Sequence, residues 1–322
     1  MGAENDNPLV LVAMGGHAFI QKGEKGTIEE HEKNSDYIVG LLMTLVERNY
    51  NIVITHGNGP QVGNLLIQNE LCRKEVPFNP LDVLVAMTEG SLGYILQQSL
   101  LNQLRSKNIP RYVVTVVTQV IVDENDPAFD KPTKPIGPFL AKKEAEYRRD
   151  TLGWEIIEDA GRGWRRLVPS PQPIRVIQRD MIREAARVGH IVVAAGGGGI
   201  PIRKEPDDGP YRRVEAVIDK DLTSSLLAAE IDASVLIILT AVPNVYFNFG
   251  KADQRPLGAV TLEEIEAYHK EGHFLPGSMG PKIQAVINFL KAGGKRALIT
   301  NPESLHQAIE GRAGTHLIGR IR

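Results

Sequence analysis

The chain has 322 residues, of which 42% are hydrophobic and 24% are charged, and its formal net charge is −2. These values are typical of a globular protein and exclude a fibrous repeat or a wholly disordered chain. The near-neutral charge provides no field that would attract a nucleic-acid backbone or an anionic membrane, so we expect neither as a partner.

The first half of the chain alternates short apolar runs with segments of helical periodicity. Residues 9–14, 52–55 and 112–118 are predicted strands, and residues 27–49, a segment opening after Pro60, and residues 81–104 are predicted helices. Glycine-bearing loops follow the first two strands at Gly15 and Gly57. A buried parallel strand that ends in a backbone loop has this pattern.

The character of the sequence changes between residues 124 and 173. Seven prolines and both tryptophans fall in this stretch, together with a dense mixture of charges. A long interruption of this kind within a compact α/β chain is usually functional. We therefore predict a small inserted subdomain, or lid, at 124–173.

Alternation resumes after the insert. The predicted elements are a helix at 179–188, a strand at 191–195, a hairpin-like patch at 211–218, a helix from Lys220, a strand at 235–239, helices starting near Thr261 and Pro281, a strand at 297–300, a helix from Pro302 and a strand at 315–318. Thr261 with Glu264 forms a capping box. The pattern predicts an α/β fold with a mostly parallel sheet covered by helices on both faces, whose ligands bind at the carboxyl ends of the strands.

Three predicted strands end in glycine-bearing loops, which could form concave nests for phosphate oxygens. The loop residues are Gly15, Gly16 and His17, then Gly57, Asn58 and Gly59, and then Gly196, Gly197 and Gly198. Each loop alone is more simply an ordinary tight turn, but their shared position favours a phosphate or carboxylate site. Neither a Walker A sequence nor a Rossmann fingerprint follows the first strand.

Three lysines could supply the positive charge that phosphoryl transfer needs. Lys220 stands at a predicted helix start, where Asp219 suits the N-cap and Asp221 could orient lysine side chains. Lys282 also lies at a helix start, and Lys134 lies in the insert. A single lysine is more often a solvated surface charge, so position alone raises these candidates only modestly.

Longer strings in the chain resemble those of the carbamate kinases, a family of the amino acid kinase superfamily. They read THGNGPQVGN at 55–64, AMTEGSLG at 86–93, PTKPIGPF at 132–139, EDAGRGWR at 158–165, VPSP at 168–171, GGGGIP at 196–201, VEAVIDKD at 214–221 and GHFLPGSM at 272–279. The resemblance runs in consistent order from about residue 9 to the end of the chain.

The resemblance implies a single domain over 1–322, folded as a three-layer α/β/α sandwich around an open, mostly parallel eight-stranded sheet. It places carbamate or carbamoyl phosphate in the N-terminal half, about 9–195, and ADP or ATP in the C-terminal half, about 196–322. The insert would then be a protruding lid, and the enzyme a homodimer. Mg²⁺ would accompany the nucleotide, without a tightly bound protein metal.

The resemblance also assigns roles to residues. Lys134, Lys220 and Lys282 would surround the transferring phosphoryl group, and Asp221 would organise two of them. The nucleotide site would include Asp219, Thr240, Ala241, Val242, Tyr246 and Met279.

One position departs from the family pattern, because His17 stands where carbamate kinases usually have asparagine. A histidine donor depends on its tautomer and can gain charge near neutral pH. Its ring could still donate to a phosphoryl oxygen, or it could turn aside while backbone N–H groups bind.

The implied activity is reversible, direct in-line phosphoryl transfer between carbamoyl phosphate and ADP, which gives ATP and carbamate. Two alternatives stay open: a related kinase acting on another small carboxylate, and a nucleotide-binding regulator that has lost turnover. We expect a packing role for His56, because carbamate is already a nucleophilic anion. The segment 162–166 is expected to pack within the lid. The single cysteine, Cys72, and the lack of a signal-peptide pattern favour a cytoplasmic location.

Overall fold

The computed structural model describes residues 5–15, 18–21, 23–159, 161–206, 209–275 and 278–319. Two predicted site residues, Gly16 and His17, lie outside the described residues. The helices are α1 (Ile28–Glu47), α2 (Gly59–Leu71), α3 (Leu81–Ser106), α4 (Lys142–Leu152), α5 (Arg179–Arg187), α6 (Lys220–Glu230), α7 (Leu262–Lys270), α8 (Met279–Lys291) and α9 (Leu305–Ile309).

The strands in the same part of the chain are β1 (Leu9–Met14), β2 (Asn51–His56), β3 (Val113–Val116), β4 (Gln119–Val122), β5 (Lys134–Leu140), β6 (Glu155–Glu158), β7 (Trp164–Val168), β8 (Pro173–Val176), β9 (Ile191–Ala194), β10 (Ile200–Lys204), β11 (Tyr211–Arg213), β12 (Val235–Leu239), β13 (Tyr246–Phe247), β14 (Arg255–Pro256), β15 (Ala259–Thr261), β16 (Arg296–Thr300) and β17 (Thr315–Ile318).

Eight strands form the main sheet, in the spatial order β15-β17-β16-β12-β1-β2-β9-β3. The six strands from β16 to β3 are mutually parallel. Strand β17 pairs antiparallel with β16, and β15 runs parallel to β17, so one edge of the sheet is reversed. The prediction of an open, mostly parallel eight-stranded sheet is therefore confirmed.

Helices cover both faces of this sheet, and β1 shows why. All six of its residues are buried. Val10, Val12 and Met14 pack in one cluster with side chains of α1, α3 and α9. Leu11 and Ala13 belong to another cluster, with side chains of α5, α6, α7 and α8. Alternate residues of a strand point to opposite faces, so an uninterrupted apolar run produces the three-layer sandwich.

The proline-rich stretch has a sheet of its own. Strands β5, β7 and β6 form an antiparallel three-stranded sheet, and α4 connects β5 to β6. The adjoining strands β4 and β8 belong to a separate four-stranded sheet with β10 and β11. The elements from β5 to β7, called the insert below, lie within the predicted 124–173 range. Their motion as a lid stays a prediction.

The insert lies directly against α2 of the core. A β-carbon placed on Gly63 of α2 would lie 1.8 Å from the Cα of Gly137 in β5, so only glycine allows this backbone contact. Farther along α2, the buried carboxylate of Glu70 accepts hydrogen bonds from Trp154 at 2.7 Å and from Arg148 at 3.0 Å. Backbone contact and a shared carboxylate together dock the insert.

Several boundaries differ from the sequence-based predictions. The hairpin-like patch at 211–218 is wrong in extent: β11 ends at Arg213 and pairs antiparallel with β10, and residues 214–218 lie outside any strand. The helix from Pro302 begins as a 3₁₀ turn before α9. The capping box of Thr261 and Glu264 at α7 is confirmed. No helix among the described residues is long and apolar enough to cross a membrane.

Candidate active site

Three glycine-bearing loops meet at one edge of the main sheet. Gly15 follows β1, Gly57 follows β2, and a 3₁₀ turn at Gly196–Gly198 follows β9 closely. Because β1, β2 and β9 are adjacent and parallel, their carboxyl ends lie side by side. The sequence predicted this shared edge. Binding of phosphate by the loops stays a prediction.

The glycines at 196–198 are also required for close packing. A β-carbon at Gly196 would lie 2.6 Å from the His56 ring, and one at Gly197 would lie 2.1 Å from the Asn58 side chain. A β-carbon at Gly198 would lie 2.4 Å from the carbonyl oxygen of Ile218. The turn is thus wedged between the loop after β2 and the segment before α6, which fixes the relative position of these loops.

A cluster of three lysines and two aspartates lies at the start of α6. The ammonium of Lys220 is 2.5 Å from Oδ1 of Asp221, and that of Lys282 is 2.8 Å from Oδ2 of the same carboxylate. Lys134, the first residue of β5, donates to Oδ2 of Asp219 at 2.7 Å. The structure thus brings together the three predicted lysines, although their sequence positions are far apart.

Local structure positions this cluster. Asp219 caps α6, since its side chain accepts hydrogen bonds from the backbone N–H groups of Asp221 and Leu222. Lys220 and Asp221 therefore stand on the first turn of α6, at the positive end of the helix dipole. Lys282 stands in the first turns of α8, which packs against α6. Lys134 comes from the insert, so the cluster depends on its docking.

Burial and ion pairing shift the pKa values of this cluster in different directions. Burial lowers the pKa of Lys220. Burial also acts to lower the pKa of Lys282, but the ion pair and hydrogen bond with Asp221 outweigh burial and raise this pKa. The two ammonium groups hold the pKa of Asp221 well below its usual range despite burial. Asp221 is thus the anion that keeps two buried cations charged.

A cavity of about 1180 Å³ opens beside the cluster. Its lining includes the five charged residues of the cluster together with Gly57, Asn58, Gly59 and Gly197. Three further cations, Lys25, Arg162 and Arg165, line the same cavity. These three residues were not predicted from the sequence as site residues. Of the segment 162–166, Arg166 contacts the Trp154 ring, in agreement with the predicted packing role.

Five of the six residues predicted for the nucleotide lie outside the lining of this cavity. Thr240, Ala241 and Val242 follow the carboxyl end of β12, Tyr246 opens β13, and Met279 opens α8. Only Asp219 of the predicted nucleotide residues lines the cavity. Nucleotide contacts for the others stay a prediction.

His56 is buried at the end of β2. Burial lowers its pKa to about 4, and the nearby charge of Lys220 acts in the same direction. Its Nδ1 lies 3.1 Å from the carbonyl oxygen of Gly57, so this nitrogen carries the proton in the neutral ring. A neutral, enclosed imidazole packed on Gly196 fits the predicted packing role.

The fold and this site define a class: an α/β phosphotransferase, in which the three predicted lysines lie in one cluster. Residues 8–301 match the amino acid kinase family, and the chain belongs to that family. Within it the chain belongs with the carbamate kinases. It is 46% identical to the carbamate kinase of Thermococcus kodakarensis over 96% of this chain and 98% of the relative. An Escherichia coli protein named carbamate kinase-like is 45% identical over 96% of this chain and 98% of its own length.

Solved structures agree with this placement. Carbamate kinase from Giardia lamblia bound to citric acid superposes with a TM-score of 0.93 at 39% identity, covering 98% of this chain and 99% of the other. The same enzyme bound to AMP-PNP gives a TM-score of 0.89 at 40% identity, with the same coverage.

Proposed function

We propose that this protein is a carbamate kinase that transfers a phosphoryl group between carbamoyl phosphate and ADP. In the ATP-forming direction an oxygen of the ADP β-phosphate attacks the phosphorus of carbamoyl phosphate. The new P–O bond forms as the bond to the carbamate oxygen breaks, and carbamate leaves with that electron pair. No phosphoenzyme and no proton transfer are needed, so positioning and charge supply the catalysis.

The arrangement around Asp221 carries this proposal. Each lysine ammonium has three N–H donors, and Lys220 and Lys282 each use one on this carboxylate. Within the described part of the chain the remaining donors have no hydrogen-bond partner, so they can turn toward the oxygens of a migrating phosphoryl group. Lys134 can add donors from the insert side, since it uses one on Asp219. The cluster would stabilise charge on the equatorial oxygens in the transition state.

Mg²⁺ would enter with the nucleotide. Among the described residues, no three histidine, cysteine or acidic side chains converge as a metal site. Both aspartates of the cluster are paired with lysines. Mg²⁺ prefers substrate phosphates and water with few protein carboxylates, so these residues fit an ion held mainly by the nucleotide. When bound, it would neutralise charge on the phosphates.

The division of the site into a carbamoyl side and a nucleotide side is the one that the resemblance to the carbamate kinases implies. We propose that residues up to about 195 hold the carbamoyl side and that residues from about 196 hold the nucleotide. The insert would cover the acceptor as a lid, because Lys134 and Arg165 both line the cavity from it.

The first test is ATP formation from ADP, Mg²⁺ and carbamoyl phosphate by the purified protein in a luminescent assay. Lys220→Ala should lower turnover by roughly 10³-fold, since it removes a charged donor from the transition state. Lys107→Ala, which removes an exposed lysine paired with Glu47, is the matched control and should keep full activity.

A fully active Lys220→Ala variant would contradict the proposed mechanism. Folded protein that binds ADP but forms no ATP would favour either another small carboxylate acceptor or a regulator. A panel of acyl phosphates separates these two: turnover with one of them identifies the acceptor, and turnover with none favours the regulator.

We also propose that the protein forms a homodimer. Helix α3 exposes Met87, Tyr94 and Leu101, which are spaced seven residues apart and therefore lie along one side of the helix. An apolar stripe of this kind on a surface helix suits a second copy of the same helix. Light scattering should give a mass of two chains, and Tyr94→Glu should shift it toward one.

A further inference from the structure

Arg165 of β7 is an arginine that the mechanism above does not use. Its side chain is only 13% exposed, although it lines the large cavity. Burial lowers the pKa of this guanidinium, but an arginine stays charged in proteins. A buried cation is retained at a cost in desolvation, so its surroundings indicate what it serves.

The guanidinium is fixed in place by the insert itself. Its Nε donates to the carbonyl oxygen of Gly137 at 3.0 Å, and its Nη1 donates to Oδ2 of Asp159 at 3.0 Å. Its plane also lies near the Phe139 ring, with 5.2 Å from the guanidinium carbon to the ring centroid. Three contacts thus set the direction of the group before any ligand binds.

The remaining nitrogen, Nη2, lies beside the loop after β2. A β-carbon placed on Gly59 would be 3.8 Å from it. The hydrogen bonds of Arg165 to other described residues use Nε and Nη1, which leaves the N–H groups of Nη2 for a ligand. Fixed donors of this kind recognise carboxylate oxygens, because the planar guanidinium matches their geometry.

Arg165 belongs to a different ion pair from the lysines. The lysines share Asp219 and Asp221, whereas Arg165 pairs with Asp159. If the lysines bind the migrating phosphoryl group, the cation beside Gly59 is available for the group to which it is attached. In carbamoyl phosphate that group carries a carbonyl oxygen, and in the leaving carbamate this oxygen shares the negative charge.

We propose that Nη2 of Arg165 binds the non-bridging oxygen of the small carboxylate acceptor and so helps to hold the acyl group in place for transfer. This assignment rests on the proposed carbamate kinase activity. The hydrogen bond strengthens as the P–O bond breaks and charge develops on the carbamate, so Arg165 acts on the transition state as well as on binding.

The test compares three variants in the ATP-forming assay. Arg165→Met should lower kcat/KM for carbamoyl phosphate by on the order of 10- to 100-fold, the usual effect of losing one hydrogen bond to a charged group. The KM for ADP should change by less than about 2-fold if only the acceptor loses a contact. Arg149→Met removes an exposed arginine of the same insert and should match the wild type.

Asp159→Asn separates contact with the substrate from a structural role. It weakens the Asp159–Arg165 ion pair but keeps the guanidinium and its hydrogen bond to Gly137, so a substrate contact predicts a smaller loss than that of Arg165→Met. If Arg165→Met does not fold, Arg165→Lys serves instead. Its shorter ammonium cannot hold both fixed contacts and reach the acceptor, so a loss of about 10-fold is expected.

Three outcomes overturn the assignment: an unchanged Arg165→Met, an equal loss for ADP and carbamoyl phosphate, or an Asp159→Asn variant that reproduces the whole loss. If the wild type forms ATP and one of these outcomes is observed, only the proposed role of Arg165 is refuted. If the folded wild type forms no ATP, the proposed function and the assignment of Arg165 are both refuted.

Discussion

Replacing Asp221 by asparagine tests the lysine cluster directly. The substitution keeps the shape of the side chain but removes the charge shared by Lys220 at 2.5 Å and Lys282 at 2.8 Å. The amide oxygen of asparagine can still accept from one ammonium, but its NH2 group cannot accept from the other. A hydrogen bond to a charged group contributes about 1.5–3 kcal/mol, so the loss of one bond and the weakening of the other amount to roughly 3–5 kcal/mol. If about 3–4 kcal/mol of this appears in the transition state, kcat falls by on the order of 10²- to 10³-fold.

The pH profile gives an independent signature. Asp221 is the main influence that raises the pKa of both lysines, against burial, which lowers it. Without the carboxylate, both pKa values fall and the lysines lose their charge at lower pH. The residual activity of Asp221→Asn should therefore be greatest at the acidic end of a pH 6–9 series and decline as the pH rises.

The assay is ATP formation across this pH series, with thermal unfolding as a check of folding. Asp150→Asn is the control, since it makes the same change in an exposed ion pair with Arg149 and should stay within about 2-fold of the wild type. An Asp221→Asn variant with wild-type kcat and an unchanged profile would refute the role given to the carboxylate.

Two further predictions concern packing and protonation. Gly63→Ala places a methyl group against Gly137 and should destabilise the docked insert by about 1–3 kcal/mol, with lower turnover, whereas Gly40→Ala in α1, which has no neighbour within 4 Å, should be neutral or slightly stabilising. Denaturant titration and the ATP assay measure both effects, and equal stability of the two variants would contradict the contact. Burial lowers the pKa of His56 from its ordinary value of 6.5 to about 4, so the unfolded chain takes up the proton first and stability is lost as the pH falls below about 6.5. Between pH 7.5 and 5.0 this loss is about 2 kcal/mol, and His56→Gln should lose that much less than the wild type over the same range.

The sheet could be predicted from the sequence because its strands are buried on both faces. A run such as residues 9–14 is apolar throughout, and glycine follows it at once. The strands of the insert were not predicted one by one, because β6 and β7 carry charged and aromatic residues without alternation. Residues 214–218 look like a strand in composition, but the pairing of β11 with β10 ends at Arg213 and residues 214–218 lie outside any strand.

The lysine cluster could be anticipated only in part. Asp219, Lys220 and Asp221 carry a local signal, since an aspartate before a helix predicts an N-cap. Lys282 has only its position at a helix start and Lys134 only its position in the insert, so the resemblance supplied their roles. Arg165 was not predicted because its proposed role depends on Gly137, Asp159 and Gly59 coming together in the fold, which no spacing in the chain reveals.

The wedged turn at 196–198 limits how this enzyme can be redesigned. Gly196 leaves no room beside His56, and Gly197 leaves none beside Asn58. Consider a mutant library that varies the turn at 196–198 while the loop after β2 is held constant. Most of its variants will have steric clashes between the two segments. Variants of either loop will need paired changes, in which a smaller side chain at 56 or 58 is introduced before any side chain at 196 or 197. Mutations that change substrate specificity should therefore be sought first on the insert, whose side chains line the cavity without this steric conflict.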